Sequence, residues 1–580
     1  MKLMFNITSR CGLFLHLAVL LSLCSVLYFP YLGRVPFFNK GEPREAIVVQ
    51  EIVQHGNWLF PLKKGEEVPS KPPLFHWLAA LTSMVRGGVS EATVRFPSAL
   101  LATASVLLLY GLGRRMFDGE TAFLAGLMLA TTVAYQSEAV AARVDMTLAF
   151  FVTVVLVIFY LVYQGFLKGS GWLYGFYLLL GLGVLAKGPV GLILPAMVIC
   201  AFLIARKRWD FLSRLCFHKG VILALLVGLA WYGLAVAKGG EEFVSRQVIH
   251  ENLARFFLSG EGGSGHQKPV YYYIPYLMLE GLPWSLFLPF VVADWFRRKA
   301  FAEDDLLFLI LWTGLIFVFF SLSAGKRSVY ILPLYPPLAL LTAMWLRRTE
   351  EDGIRAWGLK SVGGLCLLLG AVALFTSVVG LFARESVSLL FSFVETTVKA
   401  KDQAALAIAR DALAQSGWIF LPLFLLSSIL WIAAGLWLLA MDHRAAAACL
   451  VLLSLLVGLA VQGMVMASLA EARSYRPFME EVNRRVGCCE RLTLYGGGWD
   501  SSSAIFYRGG RVPAQGGDLA SLKEKMRATG GYYIMGEREW KKLVALGGPG
   551  LTVEMRSQGT GPEGKEPIVL IRSVKGGKGE

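Results

Sequence analysis

Long runs of apolar residues alternate with short polar stretches from residue 13 to residue 469 of this 580-residue chain. Their lengths approach the roughly 20 residues that a helix needs to cross the hydrocarbon core of a bilayer. Hydropathy along the chain therefore predicts a polytopic α-helical membrane protein with about 13 transmembrane helices. The predicted spans are Leu13–Tyr31, Phe96–Leu112, Ala122–Ala139, Met146–Tyr163, Leu173–Ala186, Val190–Ala205, Val221–Val236, Tyr273–Ala293, Leu306–Ser323, Val329–Leu346, Val362–Phe382, Trp418–Ala440 and Ala445–Leu469.

Basic residues cluster in alternate loops between these runs, and loops of this kind face the cytoplasm. The clusters predict a cytoplasmic N-terminus, and an odd number of spans then places the C-terminal segment outside. No small residues at cleavage spacing follow the first run, so we expect it to be retained as an anchor. The basic residues on the predicted cytoplasmic side are Lys2, Arg10, Arg114, Arg115, Lys168, Arg206, Lys207, Arg208, Arg214, Lys219, Arg297, Arg298, Lys299, Arg347, Arg348, Arg355, Lys360 and Arg444.

Three predicted outer stretches are too long to be turns, and function concentrates in loops of this length. They are Gly33–Arg95, Lys238–Tyr272 and Arg384–Gly417. In the first stretch, Ala46–His55 has a helical pattern, and Leu74–Val85 is an apolar piece suited to the membrane interface. We expect residues 1–473 to form a membrane domain whose catalytic outer loop comprises residues 33–95.

The chain becomes polar and glycine-rich after residue 474, and strand-like and helical patterns alternate there. This alternation predicts a small C-terminal α/β domain, residues 474–580, on the extracytoplasmic side. An ordinary loop is favoured over a phosphate cradle at Gly496–Gly498, because the glycine spacing is incomplete. The predicted strands are Arg491–Tyr495, Tyr532–Met535 and Ile568–Ile571, and the predicted helices are Phe478–Val486, Leu519–Ala528 and Glu537–Ala545.

The composition agrees with a membrane protein, since 56% of residues are apolar and only 17% are charged. The net charge of +15 would suggest nucleic acid as a partner in a soluble protein. Here the cytoplasmic clusters account for much of it as topology signals facing anionic lipid, so we expect membrane lipids and no nucleic acid as partners. The eight cysteines form no disulfide framework or zinc spacing, and His266 has no second ligand at metal-binding spacing.

The first outer stretch carries candidate acid–base chemistry. Glu42 and Glu45 flank Pro43–Arg44, and a carboxylate held near an arginine can act as a general base. The same acids also suit the first turn of the following helix, where the helix dipole favours negative charge. Asp145, beside Arg143 and facing the same outer loops, is a third candidate acid, although on position alone capping of the fourth predicted span is the favoured explanation.

Candidate phosphate contacts come from the same outer face. Lys71 lies between Ser70 and Pro72–Pro73 in a rigid turn, where it can hold a phosphate or serve as an interfacial anchor. Arg44 supplies a planar fork suited to the same group. Lys326 and Arg327, followed by Tyr330, stand on the outer side against the positive-inside trend, which indicates an anionic ligand.

Eight short motifs then occur in a fixed order. They are G-E-P-R-E-A, G-N-W-L-F-P, S-K-P-P-L-F-H-W, R-F-P-S-A-L, V-D-M-T-L, A-K-G-P-V-G, G-L-P-W-S-L-F-L-P and G-K-R-S-V-Y-I-L-P-L-Y-P-P-L-A. In this order the chain resembles the polyprenyl-phosphate-sugar-dependent membrane glycosyltransferases. It is most similar to the aminoarabinose transferases that modify lipid A, with protein O-mannosyltransferases as more distant relatives. The similarity covers roughly residues 10–350.

The resemblance implies the C-type glycosyltransferase architecture, a lipid-phosphate sugar donor and chemistry on the outer face. It implies an Asp-Glu pair in the first loop, where this chain has Gly41–Glu42, so Glu42 is the nearest base, with Glu45 and Asp145 behind it. It implies that Arg44, Lys71, Lys326, Arg327 and Tyr330 face the donor phosphate. Ser70 stands where the family often has an acid.

Together these patterns predict a glycosyltransferase of the bacterial inner membrane that moves a sugar from a polyprenyl phosphate to a lipid A, glycan or protein acceptor on the periplasmic side. Such a donor carries its own leaving group, so no cofactor is required, and dependence on a divalent metal is left open. The alternatives are a lipid-linked saccharide transporter or flippase, and a non-catalytic homologue that binds lipid-linked sugar.

Overall fold

Apolar helices dominate the chain as far as Arg473. The computed structural model describes residues 2–63, 67–245, 247, 249, 268–298, 300–348, 353–382, 417–487, 490–496, 499, 501–546, 551–559, 561 and 566–573. Ten of the described helices are long and apolar enough to cross a membrane, and a bent pair would make the number 11. The spans predicted at Ala122–Ala139 and Val190–Ala205 correspond to shorter helices, so the number of 13 stays a prediction.

The helices of this first part are α1 (Lys2–Tyr28), α2 (Gly41–His55), α3 (Leu74–Val85), α4 (Glu91–Met116), α5 (Gly119–Thr131), α6 (Val133–Ala139), α7 (Val144–Tyr163), α8 (Ser170–Lys187), α9 (Val190–Ala205), α10 (Trp209–Cys216), α11 (Gly220–Phe243), α12 (Tyr273–Glu280), α13 (Leu288–Arg297), α14 (Asp304–Leu322), α15 (Tyr335–Arg347), α16 (Gly353–Phe382), α17 (Gly417–Leu439), α18 (His443–Ala460) and α19 (Met466–Arg473). Short 3₁₀ helices cover Val270–Tyr272, Trp284–Phe287, Ala300–Ala302 and Ser328–Leu334, and a π-helical turn covers Val461–Val465. His266 and residues 384–416 of the third predicted outer stretch fall outside the described residues.

Two predicted spans are interrupted. The run Ala122–Ala139 is two helices, α5 and α6, because Thr132 adopts an extended conformation between them. The predicted span Tyr273–Ala293 bends by 117° between α12 and the 3₁₀ turn that precedes α13. The two breaks meet: Val133 N donates to Leu282 O at 3.4 Å, and Trp284 Nε1 donates to Thr131 Oγ1 at 2.9 Å. Backbone groups freed inside a membrane protein need partners of this kind.

The C-terminal segment forms a five-stranded sheet with helices on both faces. The strand order is β2-β1-β3-β5-β4. Strand β1 pairs in parallel with β2 and β3, and β5 pairs antiparallel with both β3 and β4. All three strands and three helices predicted here are present within about two residues. The sequence patterns missed α21, β2 and β4. The elements are α20 (Arg476–Arg485), β1 (Leu492–Tyr495), α21 (Ser501–Arg508), β2 (Ala514–Gln515), α22 (Leu519–Thr529), β3 (Gly531–Gly536), α23 (Glu537–Ala545), β4 (Leu551–Arg556) and β5 (Ile568–Ser573).

Alternation along the strands divides the apolar side chains between the two faces of the sheet. Tyr533 and Met535 of β3 pack on one face with apolar residues of α22 and α23. Ile534 lies on the other face, in a core that α20 and α21 share with buried residues of α2. The C-terminal domain therefore packs directly against the helix that follows the first span.

Polar contacts add to this interface. Gln50 Nε2 donates to Phe506 O at 3.0 Å, and Gln54 Nε2 donates to Gly509 O at 2.7 Å. The buried carboxylate of Glu51 accepts from Arg511 Nε at 3.1 Å. One side of α2 is consequently fixed by the C-terminal domain.

Substitution Arg511→Gln is expected to weaken this docking by about 1 kcal/mol, because Arg511 is half-exposed and its ion pair is screened. Burial alone would raise the pKa of Glu51, but Arg511 and Asn57 outweigh it and hold the pKa below its ordinary value. Their contribution to stability is present above about pH 4.3 and is lost as the pH falls through the lowered pKa. Hydrogen exchange of the α2 amides at two pH values measures both effects, and Arg538→Gln, exposed in the same domain, is the control.

Candidate active site

The ends of several helices enclose a polar cavity of about 230 Å³. Two carboxylates and six basic side chains face it, from α2, the segment between α2 and α3, the start of α7, the end of α8 and the segment after α14. The carboxylates are Glu45 and Asp145, and the basic residues are Arg44, Lys63, Lys71, Arg143, Lys187 and Arg327. We call this the charged cavity. Such a surplus of positive charge suits an anionic ligand.

Five of the predicted site residues besides Glu45 therefore line one space. Arg44 is exposed on the first turns of α2, and Lys71 precedes α3 by a short proline turn. Asp145, Arg327 and Tyr330 approach from more distant parts of the chain. The structure brings these residues together around the charged cavity.

Asp145 lies in the first turn of α7 but does not cap it, because Arg143 occupies the N-cap position. Its Oδ1 atom forms an ion pair with Lys187 Nζ at the end of α8. Lys187 Nζ also lies 4.3 Å from the centre of the Tyr330 ring, a cation–π distance. In the sequence, Lys187 appears only within the motif A-K-G-P-V-G and was not predicted as a site residue, so its position in the cavity was missed.

Glu45 forms a second fixed pair, with His76 of α3. His76 Nε2 lies 2.7 Å from Glu45 Oε2, and the buried Nδ1 atom of the same ring has no hydrogen-bond partner among the described residues. Burial alone would raise the pKa of Glu45, but the hydrogen bond and charge of His76, together with Lys71, hold it below its ordinary value. Glu45 is therefore an ionised carboxylate facing the cavity. His76 was quoted in a motif but not predicted as a site residue.

Glu42 is placed differently from the prediction. Its carboxylate is 3% exposed and accepts from Arg95 Nε at 2.7 Å and Arg95 Nη2 at 3.0 Å. It also accepts from Asn39 Nδ2 at 2.7 Å and Ala142 N at 3.0 Å. Burial opposes ionisation, but Arg95 and these bonds hold the pKa of Glu42 below its ordinary value. With four donors on one carboxylate, Glu42 fits a structural ion pair and not a proton acceptor.

Lys326 is also outside the charged cavity. It is 4% exposed, and its ammonium donates to Lys268 O at 3.1 Å and to Ser323 O. Burial lowers the pKa of this lysine. Its position favours a role in holding the segment after α14, so the expectation that it contacts donor phosphate is not supported by this geometry.

A second cavity, of about 490 Å³, lies on the other side of Arg143, which lines both spaces. Glu138, Glu280 and the wall formed by Glu42 and Arg95 contribute its polar lining. One oxygen of Glu138 is buried without a hydrogen-bond partner among the described residues. The π-helical turn also contributes, through Val461 and Gln462, to this cavity.

No group of three or more histidine, cysteine or acidic side chains suited to a metal ion occurs among the described residues. His266 falls outside them.

Comparison with known proteins agrees with the motifs. The sequence model of the dolichyl-phosphate-mannose-protein mannosyltransferase family matches residues 70–232. The undecaprenyl phosphate-alpha-4-amino-4-deoxy-L-arabinose arabinosyl transferase of Edwardsiella ictaluri is 30% identical over 61% of this chain. The match spans 63% of that relative's length.

The ArnT crystal structure from Cupriavidus metallidurans, bound to undecaprenyl phosphate, has the same fold, with a TM-score of 0.76 at 20% identity over 97% of this chain and 99% of that one. This likeness confirms the predicted fold class of a polytopic helical membrane protein with a small C-terminal sheet domain. The arabinosyl transferase 2 of Pseudomonas fluorescens, also named for undecaprenyl phosphate-alpha-4-amino-4-deoxy-L-arabinose, is 32% identical over 66% of this chain and 69% of that protein. The chain therefore belongs to the family of undecaprenyl phosphate-aminoarabinose arabinosyl transferases.

Proposed function

We propose that this protein is a glycosyltransferase that moves a sugar from a polyprenyl phosphate to an acceptor at the extracytoplasmic surface of the bacterial inner membrane. The observation that carries the proposal is the charged cavity, where two ionic carboxylates stand among six basic side chains. The names of the relatives support a donor built on undecaprenyl phosphate. Lipid A, another glycan and protein are the candidate acceptors.

The proposed reaction is a direct displacement at the anomeric carbon of the sugar. The acceptor oxygen or nitrogen forms a bond to that carbon as the carbon–oxygen bond to phosphate breaks, and the electron pair leaves with the phosphate. Arg44, Lys71 and Arg327 stabilise the growing negative charge on the leaving phosphate. Asp145 accepts the proton of the acceptor, since Oδ1 is anchored by Lys187 and the carboxylate faces the cavity.

The proposed topology follows from the basic clusters. The N-terminus lies in the cytoplasm, and the charged cavity and the C-terminal domain, residues 474–580, lie on the periplasmic side. Cysteine-accessibility labelling of intact cells tests this arrangement. A reagent that cannot cross the membrane is expected to label a cysteine introduced at exposed Arg538 and not one introduced at exposed Arg214.

Substitution of Lys71 or Arg44 by alanine is expected to lower transfer by about 10- to 100-fold, because each removes a charge-assisted contact to phosphate. The measurement is release of radiolabelled sugar from a panel of polyprenyl-phosphate donors by membranes containing each variant. Arg86→Ala is the matched control, since it removes an exposed cation just after α3 that does not line the charged cavity.

The outcomes separate this function from the alternatives. Equal turnover by Lys71→Ala and Arg86→Ala contradicts the assignment of the phosphate site. Donor binding without turnover by the unmodified protein supports the non-catalytic homologue, and movement of labelled donor across proteoliposomes without sugar release supports a flippase.

A further inference from the structure

The second cavity has the opposite balance of charge to the charged cavity. Its acidic lining residues are Glu42, Glu138 and Glu280, and its basic lining residues are Arg95 and Arg143. Glu42 and Arg95 neutralise each other in their buried ion pair. Two carboxylates therefore remain against one guanidinium, whereas six basic side chains face two carboxylates in the charged cavity. The second cavity favours a cationic group, and the charged cavity favours an anionic one.

Glu138 presents an unpaired oxygen within this cavity. Its side chain is 7% exposed, and the Oε2 atom has no hydrogen-bond partner among the described residues. Glu138 and Arg143 attract each other by charge, without a hydrogen bond between them. A buried carboxylate oxygen without a partner has lost its hydration and gained nothing in exchange. A hydrogen-bond donor on a bound molecule would recover that loss.

The position of Glu138 on α6 is unfavourable for an acid that serves only the fold. Glu138 is the last residue but one of this helix, and the helix dipole disfavours negative charge at the C-terminal end. It also lies within the predicted span Ala122–Ala139, where an ionisable side chain is costly and commonly marks a functional site. The location therefore indicates a contact with a ligand.

Other polar groups line the cavity around Glu138. Glu280 is the last residue of α12, and Ser328 lines the cavity with it. Gln462 contributes an amide from the π-helical turn, a distortion that often occurs at functional sites. The volume of about 490 Å³ lies within the range of roughly 300–1,000 Å³ that is typical of small-molecule sites. The cavity thus offers carboxylate, hydroxyl and amide groups to a ligand such as a sugar ring.

The two cavities are neighbours, because Arg143 lines both. In a glycosyl phosphate, the phosphate is attached to the anomeric carbon. A substituent on carbon 4 of a pyranose lies across the ring and points away from the phosphate. If the phosphate lies in the charged cavity, this substituent is the part of the sugar that is best placed to reach past Arg143 to Glu138.

We propose that Glu138, assisted by Glu280, is a specificity residue that binds an ammonium group on the transferred sugar while the donor phosphate occupies the charged cavity. A contact between carboxylate and ammonium is charge-assisted and stronger than one between carboxylate and hydroxyl. The inference rests on the proposed glycosyltransferase function, and it deepens that function by assigning the residues that recognise the sugar.

The test compares two donors that differ in one group. Both are polyprenyl phosphates of the same pentose, with an amine or a hydroxyl on carbon 4. Their affinities are measured by calorimetric titration in the absence of an acceptor. We expect the unmodified protein to bind the amino donor at least about 10-fold more tightly. Glu138→Gln is expected to lose most of this preference and to bind the hydroxyl donor within about 3-fold of the unmodified protein.

The controls separate recognition from folding. Glu138→Gln keeps the size of the side chain and removes its charge. Glu471→Gln is the matched control, since it removes an exposed carboxylate of α19 that lines neither cavity. Binding of the hydroxyl donor reports that each variant is folded. Glu280→Gln is expected to reduce the preference about 3-fold, and it provides the same test if Glu138→Gln does not fold.

The outcomes for this site are distinct from those for the proposed function. Equal binding of the two donors by the unmodified protein, or an undiminished preference in Glu138→Gln, overturns the ammonium site whether or not sugar is transferred. In transfer assays with acceptors that bear or lack a primary amine, a loss in Glu138→Gln that follows the acceptor amine overturns the assignment to the sugar. Failure of every donor to react, with the binding preference intact, overturns the proposed function alone.

Discussion

Replacing Asp145 by asparagine is expected to lower the rate of sugar transfer by about 10²- to 10⁴-fold, the usual contribution of a general base. Asparagine keeps the size of the side chain but has no basic oxygen. Lys187, which pairs with Asp145, stays in place to hold the amide oxygen. Donor affinity is expected to change much less than the rate, because the proposed phosphate contacts come from other residues.

Glu45→Gln is the comparison that assigns the proton acceptor. Glutamine retains an oxygen for the hydrogen bond to His76, so the position of the side chain is preserved. If Glu45→Gln removes transfer while Asp145→Asn keeps it, the base is Glu45 and not Asp145. Single-turnover rates with bound donor, measured at several pH values, separate loss of a base from loss of binding.

Replacing Glu42 by glutamine is expected to lower the free energy of unfolding by about 3–5 kcal/mol, because it leaves a buried guanidinium without its counter-charge. Arg95 is 3% exposed, and its Nη1 atom is already used by Leu32 O at 2.8 Å and Val35 O at 2.6 Å. The ion pair thus connects the chain after α1 with α2 and α4. Denaturant unfolding in detergent micelles, followed by tryptophan fluorescence, measures the loss.

The double variant Glu42→Gln with Arg95→Met removes both charges and is expected to be less destabilised than the sum of the single changes. Turnover per folded molecule of Glu42→Gln is expected to stay within about 3-fold of the unmodified protein, since general-base losses are far larger. A stable Glu42→Gln protein with no activity would restore Glu42 as the catalytic base.

Much of the architecture follows from local patterns. Hydropathy locates the apolar helices because about 20 apolar residues in a row have few alternatives to a membrane. The exceptions are the breaks at Thr132 and between α12 and α13, where each interrupted run supplies hydrogen-bond partners to the other. These hydrogen bonds join segments that are distant in the sequence, so the hydropathy of either segment alone does not predict the breaks.

The site shows the same division between local and distant information. Motif order predicted Arg44, Lys71, Asp145, Arg327 and Tyr330, and all five line one cavity. Glu42 was the preferred base because its neighbours in sequence are favourable, but its partner Arg95 is 53 residues away on another helix. Lys187 and Asp145 are 42 residues apart in the sequence, so local sequence patterns did not predict their ion pair either. The roles assigned to the cavity residues remain predictions for the experiments above.

The position of α2 between the charged cavity and the C-terminal domain limits how far these parts can be exchanged between relatives. Arg44 and Glu45 face the cavity, while Gln50, Glu51 and Gln54 on the same helix hold α21 and its following turn. A chimera that replaces only residues 474–580 would therefore lose the partners of α2 and disturb the cavity it was meant to leave intact. We expect a functional chimera to need residues 37–55 and residues 474–580 from the same relative. Natural substitutions in these two distant segments should also occur in matched pairs.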